Sequence, residues 1–367
     1  MKTHLTPEQI DALAAELDAL RAEVAADLGE RDAAHIRTMV RLARWNAIAG
    51  RGLLMFGITP VSWVAGVSAL SLAKILENME IGHNVMHGQY DWMNDPTLDS
   101  QTYEWDNVCD GDDWRHSHNY MHHKYTNIVG KDRDVGYGLL RVADEQPWSP
   151  KHAIQPLSNA VLSVLFQWGV GLHDLELTDR FATPEGRREL RTRSRPFLRK
   201  AARQLFKDYV FFPAIALGNA PRVLLGNLAA NLTRNVWSNV IIFCGHFPDG
   251  TRVYTEEESA DETRGAWYVR QMEGSANIEG GRWFHVLSGH LSHQIEHHLF
   301  PDLPAPRYAE IAPRVREICE KYGLQYNSGP FWKQYGSVLT GLVRRALPAK
   351  AKVKAKTRAE RRELAAA

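Results

Sequence analysis

The chain is poor in cysteine. Three stand among 367 residues, Cys109, Cys244 and Cys319, and no two form a CxxC pair. That excludes a disulfide framework and a thiolate zinc site, and fits free thiols in a reducing compartment. Charge of one sign is lacking too. The formal net charge is +1, so nothing points to nucleic acid as a partner. No GxGxxG stretch offers a dinucleotide fold. No apolar h-region follows the acidic N-terminus, so no signal peptide is expected. The chain is mildly polar overall, which excludes a bundle made only of membrane spans but not a few spans in a larger polar body. No internal repeat is found.

What is present begins with an amphipathic helix over residues 6–28. Thr6 and Gln9 form a capping box, with Pro7 at the first helical position. Ile10, Leu13, Leu17, Leu20 and Val24 then recur at helical spacing. The stripe predicts packing on the protein body; it is short for a dimer zipper. Residues 1–40 are expected to form a cytosolic N-terminal region around this helix, 41–345 the main domain, and 346–367 a basic, disordered tail.

From 42 to 79 the chain turns apolar, and Thr59-Pro60 divides it into two arms. Each arm has about 16–18 residues, at the low edge for a bilayer span, and Arg51 interrupts the first. Residues 157–173 read as a core or interfacial helix. Residues 180–207 carry ten Arg or Lys, a cytosolic mark under the positive-inside rule. A second hairpin follows, with arms near 209–217 and 223–247. Its second arm bears Asn227, Asn231, Asn235 and Asn239, each four apart and so on one helical face, with Arg234 beside them. Polar groups at membrane depth must face protein or a wet cavity. His246 lies seven residues beyond Asn239. The expectation is a mainly α, multi-pass membrane helical bundle of about four spans in two hairpins. A cytosolic helical cap would hold a di-metal site, with both termini cytoplasmic.

Ten of the sixteen histidines fall into three clusters: HNVMH with His83 and His87, HSHNYMHH with His116, His118, His122 and His123, and GHLSHQIEHHLFP with His290, His293, His297 and His298. Each contains an i, i+4 pair, which sets two imidazoles about a turn apart on one face. Two clusters end in adjacent histidines. Neighbours on a helix point about 100° apart, so a doubled histidine suits two metals side by side. Imidazole serves iron, zinc, copper and nickel alike, so ligand type does not choose the metal.

HNVMH (83–87), HNYMHH (118–123) and QIEHH (294–298) resemble the three histidine boxes of the integral-membrane fatty acid desaturases. The flanks NMEIGHNVMHGQYDWMNDP, FCGHFPDG and QIEHHLFPDLP are similar to the actinobacterial stearoyl-CoA 9-desaturase type. The likeness covers residues 40–345. It implies a membrane enzyme with a cytosolic cap holding two Fe ions, and O2-dependent removal of two hydrogens from an acyl chain. The implied metal ligands are His83, His87, His118, His122, His123, His246, His297 and His298, all but His246 also counted as catalytic. Gln294 stands where animal-type members have histidine, and becomes a weak ligand or a supporting group. Asn239 and Glu296 are further supporting candidates, with Asp91, Asp95 and Asp134 as carboxylates that could orient imidazoles. Two departures stand out. Ile242 occupies the position of an asparagine that holds a water in animal-type members, and His290 and His293 look peculiar to this chain. His116, His173 and His285 read as ordinary polar residues, and Trp92, Trp105 and Trp114 as packing or interfacial residues more than tunnel lining, with room for some to do both.

The implied substrate is a fatty acyl-CoA, with the basic stretch 180–207 as a handle for its phosphates and membrane lipid as surroundings. With no dinucleotide fingerprint and no His-Pro-Gly-Gly haem motif, electrons from NAD(P)H must arrive through a separate reductase or ferredoxin-like partner. A membrane di-iron hydroxylase is the alternative within the same chemistry. A metal transporter is the remote one, since the histidines flank the apolar runs instead of lying inside them.

Overall fold

The computed structural model describes residues 3–348; the expected basic tail from about residue 350 lies outside the described residues. Helix α1 (Pro7–Ala26) starts as anticipated, with Thr6 Oγ1 accepting from the Gln9 amide and Pro7 at its first position. Its stripe of Leu13, Leu17, Leu20 and Val24 is buried against Val269, Met272, Ile295, Leu299 and Val315. Each such leucine contributes about 1.5–3 kcal/mol of burial, so the helix belongs to the body. Helix α2 (Glu30–Phe56) runs unbroken across residue 40.

Thr59 caps helix α3 (Pro60–Ile75), which continues without a break into π-helical turns over Leu76–His83. The 157–173 segment divides at Leu165 into α4 (Gln155–Val164) and α5 (Phe166–Asp174). Helix α6 (Pro184–Phe206) passes through a π-helical turn, Lys207–Phe211, into Phe212–Ile215. The first arm of the expected second hairpin is therefore the end of the arginine-rich helix, not a separate element. Helix α7 (Ala220–His246) is the return arm. Beyond it come α8 (Arg264–Glu273), α9 (Gln294–Leu299), α10 (Tyr308–Lys321) and α11 (Phe331–Arg345). Strands β1 (Asn277–Glu279) and β2 (Ser328–Pro330) pair in parallel, Ile278 opposite Gly329. The described chain is thus mainly α.

Among the described residues, no helix is long and apolar enough to cross a membrane, so the four expected spans are not visible as such. The composition of each helix explains this. Helix α2 carries Arg37, Arg41, Arg44 and Arg51, α3 has only 16 residues before its π-helical turns, and α7 holds Arg222, Arg234 and the asparagine stripe. That stripe faces inward: Asn231 Nδ2 donates to Asp208 at 3.1 Å and Asn235 Nδ2 to the Val164 carbonyl at 2.8 Å. Asp208 also binds Lys74 and Arg51, each at 3.0 Å.

Helices α2, α3 and α7 meet around Leu54, which is fully buried. Glycines make room for it. A Cβ at Gly226 would stand 2.6 Å from Leu54 Cδ2, and one at Gly66 would stand 3.0 Å from its Cγ. Gly226→Leu is therefore expected to cost about 1–3 kcal/mol by overpacking, read as a lower unfolding midpoint of the purified protein. Gly218→Ala, at a glycine with nothing within 4 Å of its Cβ position, should leave that midpoint in place.

Candidate metal centre

Three chain segments and one helix end deliver the histidines. His83 closes the π-helical turns at the end of α3, and His87 follows a short helical turn, Asn84–Met86. Asp110 caps Gly111–Trp114, which passes into a second π-helical stretch, Arg115–His122. There the His123 amide bonds the His118 carbonyl five residues back. A turn that wide brings i and i+5 onto one face, so His118, His122 and His123 all reach the interior. His246 is the last residue of α7, and His297 and His298 lie in the last turn of α9.

All eight imidazoles converge. Ring centroids lie 4.6 Å apart for His83 and His87, 4.9 Å for His83 and His297, 4.4 Å for His123 and His298, and 4.7 Å for His122 and His246. Their nitrogens form overlapping groups within 4.8 Å of one another. His83, His87, His118 and His297 make one; His122, His246 and His298 make a second; His123 joins His297 and His298 between them. This is a nest with two lobes.

The outer ring nitrogens are held. His83 Nδ1 bonds Asn84 Oδ1 at 2.9 Å, and His298 Nδ1 bonds Gln271 Oε1 at 2.9 Å. His122 Nδ1 lies 3.1 Å from both Asp132 oxygens, and His297 Nδ1 lies 3.4 Å from Tyr308 Oη. These acceptors fix the proton on Nδ1 and leave the Nε2 lone pair pointing into the nest. Inside, Nε2 of His83, His87, His118 and His297 and both nitrogens of His123 are buried without a hydrogen-bond partner, and His246 Nε2 lies 3.2 Å from His298 Nε2.

Burial, reinforced by neighbouring imidazoles, pushes the His83 pKa down to about 3 and holds His87, His123, His246, His297 and His298 far below the usual range. For His122 burial pulls the same way, but the carboxylates of Asp132 and Asp134 outweigh it and raise the value. A cluster of neutral imidazoles with inward lone pairs fits divalent metal ions by donor chemistry. Asp134 adds a carboxylate 3.7 Å from both His118 Nδ1 and His122 Nδ1.

Other candidates fall elsewhere. Gln294 Nε2 lies 2.9 Å from His246 Nε2, with its Oε1 buried and unpartnered, so it borders the nest. Glu296 is buried, but its carboxylate accepts from Asn277 Nδ2 and Tyr326 Oη, both at 2.8 Å. Neither of these partners is an imidazole, and burial raises its pKa to about 7. Asn239 is buried with neither side-chain atom partnered. Ile242 lines the cavity beside the nest. Asp91 serves Ser100, and Asp95 serves Thr97. His290 adopts a left-handed backbone (φ 57°) and bonds Glu80 Oε2 at 3.0 Å, while His35 holds the other oxygen at 2.6 Å. The His293 ring lies tilted against that of His285, centroids 4.5 Å apart. His173 Nε2 stands 3.3 Å from Asp134.

Asp132, Gln271 and Tyr308 were not anticipated. They lie nine or more positions from the nearest inward histidine, in a loop and in two other helices, with no spacing to betray them. The narrow cavity reaching the nest is walled by Trp105, Trp114, Phe166 and Val170 beside His83, His118, His122 and His246, so two of the tryptophans take the double role left open for some of them.

Residues 58–330 match the fatty acid desaturase family, and the chain belongs to it. It is an oxidoreductase with a histidine nest suited to two metals. Over 351 residues it is 49% identical to the NADPH-dependent stearoyl-CoA 9-desaturase of Mycobacterium tuberculosis, covering 95% of this chain and 82% of that protein. It is 25% identical over 332 residues to the sn-1 linoleoyl-lipid 6-desaturase of Synechocystis, covering 86% and 89%. It is 34% identical over 221 residues to the acyl-lipid (7-3)-desaturase of Diacronema lutheri, covering 59% and 48%.

Two outcomes follow from this geometry. Asp132→Asn keeps the size but loses the charge behind His122, and should weaken metal binding about 10–100-fold, read by competition with a chelator. In the metal-free protein the downshifted imidazoles stay neutral while the unfolded chain charges below about pH 6.5. The unfolded state then binds more protons, so stability should fall as pH drops from about 6.5 toward 3, with His122 opposing in part. Denaturation midpoints at pH 8 and pH 5.5 check this.

Proposed function

We propose that this chain desaturates fatty acyl-CoA, placing a cis double bond at the 9-position of a stearoyl or palmitoyl chain. The observation that carries the reading is the two-lobed nest of neutral, inward-facing imidazoles, taken with 49% identity to a stearoyl-CoA 9-desaturase. The overall change balances as CH2–CH2 + O2 + 2 electrons + 2 protons giving CH=CH + 2 water. Two iron ions would supply the oxidising chemistry with O2. His83, His87, His118 and His297 would hold one ion, and His122, His246 and His298 the other, with His123 between.

The protein's own part is to fix and exclude. Asn84, Asp132, Gln271 and Tyr308 keep the rings from turning. Trp105, Trp114, Phe166 and Ile242 form an apolar wall that keeps water from a methylene brought to the nest.

The two hairpins are proposed to sit in the cell membrane as a pair, with the nest and both termini cytoplasmic. Their tips meet, since Asn219 Nδ2 bonds the Met55 carbonyl at 2.7 Å and Arg222 reaches the Thr59 carbonyl at 2.9 Å. Ile58 and Leu217 at those tips are 83% and 80% exposed, and Trp45, Phe56, Val61, Leu225 and Phe211 are exposed along the shafts. Large apolar side chains exposed in such number on the two hairpins fit a membrane or partner contact.

Expression in a desaturase-deficient host with a suitable reductase, followed by fatty acid methyl ester analysis, tests the function. The wild type should yield a 9-monounsaturated product, and His297→Ala should yield only background. A product heavier by one oxygen would make the enzyme a hydroxylase. With purified protein, NADPH alone should give no turnover, because electrons are proposed to come through a separate partner; turnover without one would contradict that.

A further inference from the structure

A second buried cluster stands a few residues before the first and third sets of inward histidines. Glu80 is fully buried in the π-helical turns that end α3. Its two oxygens accept from two imidazoles, His35 Nε2 on α2 at 2.6 Å and His290 Nδ1 at 3.0 Å. Such partners are what a buried carboxylate requires, since burying the charge alone is costly. Neither histidine belongs to the eight that form the nest, and Glu80 is in neither of its lobes.

The backbone at His290 shows what the carboxylate holds. The short helix Arg282–Leu287 ends in a Schellman turn. His290 N–H bonds the His285 carbonyl at 2.7 Å, and Gly289 N–H bonds the Val286 carbonyl at 3.0 Å. That turn asks for one left-handed residue, and Gly289 supplies it (φ 64°). A Cβ at Gly289 would run into the Met79 carbonyl, so the chain passes tight against the end of α3. His290 is left-handed too (φ 57°). Helix termination does not call for this second residue, and a side chain makes the conformation uncommon. It persists where the surroundings over-determine it, and here Glu80 grips the side chain.

His290 is the pivot from which the chain turns through Leu291–His293 into α9, which carries Gln294, His297 and His298. Asn84 ties the same pieces a second time. Its Nδ2 donates to the Glu80 carbonyl at 3.0 Å and reaches the Gly289 carbonyl at 3.5 Å. Its Oδ1 accepts from His83 Nδ1 at 2.9 Å. These ties join the segment of His83 to the segment of His297, whose rings stand 4.9 Å apart in one lobe.

We infer that Glu80 is a positioning residue for the metal centre. Anchored by His35 on α2, it holds His290 in its left-handed turn. It thereby sets the separation of the first and third histidine segments across the lobe of His83, His87, His118 and His297. The inference rests on the reading of the nest as a two-metal site.

The test titrates the metal-free full chain in detergent micelles with cobalt(II), followed by its visible absorption. His83→Ala marks the binding step that belongs to the His83 lobe. Glu80→Gln keeps the size and loses the charge; it should weaken that step about 10–100-fold and change the other less than about threefold. Glycine adopts the left-handed turn freely, so adding His290→Gly to Glu80→Gln should recover most of the loss. A general packing defect would not be recovered. Circular dichroism shows whether each variant is folded. If Glu80→Gln does not fold, His290→Ala and His290→Asn decide. Alanine neither favours the turn nor bonds Glu80, and should weaken the His83 step. Asparagine visits the left-handed region and still donates, and should stay within about threefold of wild type. An unchanged His83 step, an equal loss at both steps, a loss that His290→Gly does not reduce, or equal behaviour of the alanine and asparagine variants overturns the inference. Wild-type protein that takes up no cobalt would instead overturn the reading of the nest, and this inference with it.

Discussion

Six imidazole nitrogens of the nest are buried with no hydrogen-bond partner. An unsatisfied buried polar group costs about 1–3 kcal/mol, so six of them rival the ~5–15 kcal/mol stability of a whole domain. Protonation does not relieve this, because burial and mutual repulsion hold most of these rings neutral. Cations placed among the lone pairs do. The nest is therefore the constraint to which the surrounding helices are built, and metal bound there would be coupled to folding.

The surrounding structure keeps those lone pairs aimed. The π-helical turns give His118, His122 and His123 a common direction that an α-helix denies to neighbours. Helix α7 delivers His246 from a shaft anchored by Asn231, Asn235 and Asp208, and located by the seat of Leu54 between Gly66 and Gly226. Helix α1 buries its leucines over α8, α9 and α10, whose Gln271 and Tyr308 bond His298 and His297. A helix with no ligand of its own thus tightens the site.

Much of this was legible in the chain. The capping box of α1, the break at Thr59-Pro60 and the inward asparagine face follow from local chemistry. The three histidine clusters announce a metal site because i, i+4 spacing is a short-range signal. What escaped was long-range or depended on backbone winding. Asp132 and Gln271 sit behind their histidines only after folding. The π-helical turns follow no simple periodicity. Glu296, next to the doubled histidine, looks like a supporting carboxylate, yet its bonds go to Asn277 and Tyr326. His290 earns its place through Glu80, some two hundred residues earlier. The spans were expected from mean apolarity, whereas the helices spread their apolar surface over paired hairpins with buried polar interiors.

The most direct test of the account is a metal count on the purified protein, joined to Mössbauer spectra after growth on 57Fe. The account predicts about two irons per chain in a nitrogen-rich environment, both lost when His123, which lies between the two lobes, is replaced by alanine. One metal per chain, or a full complement of zinc with no iron in an active preparation, would contradict it.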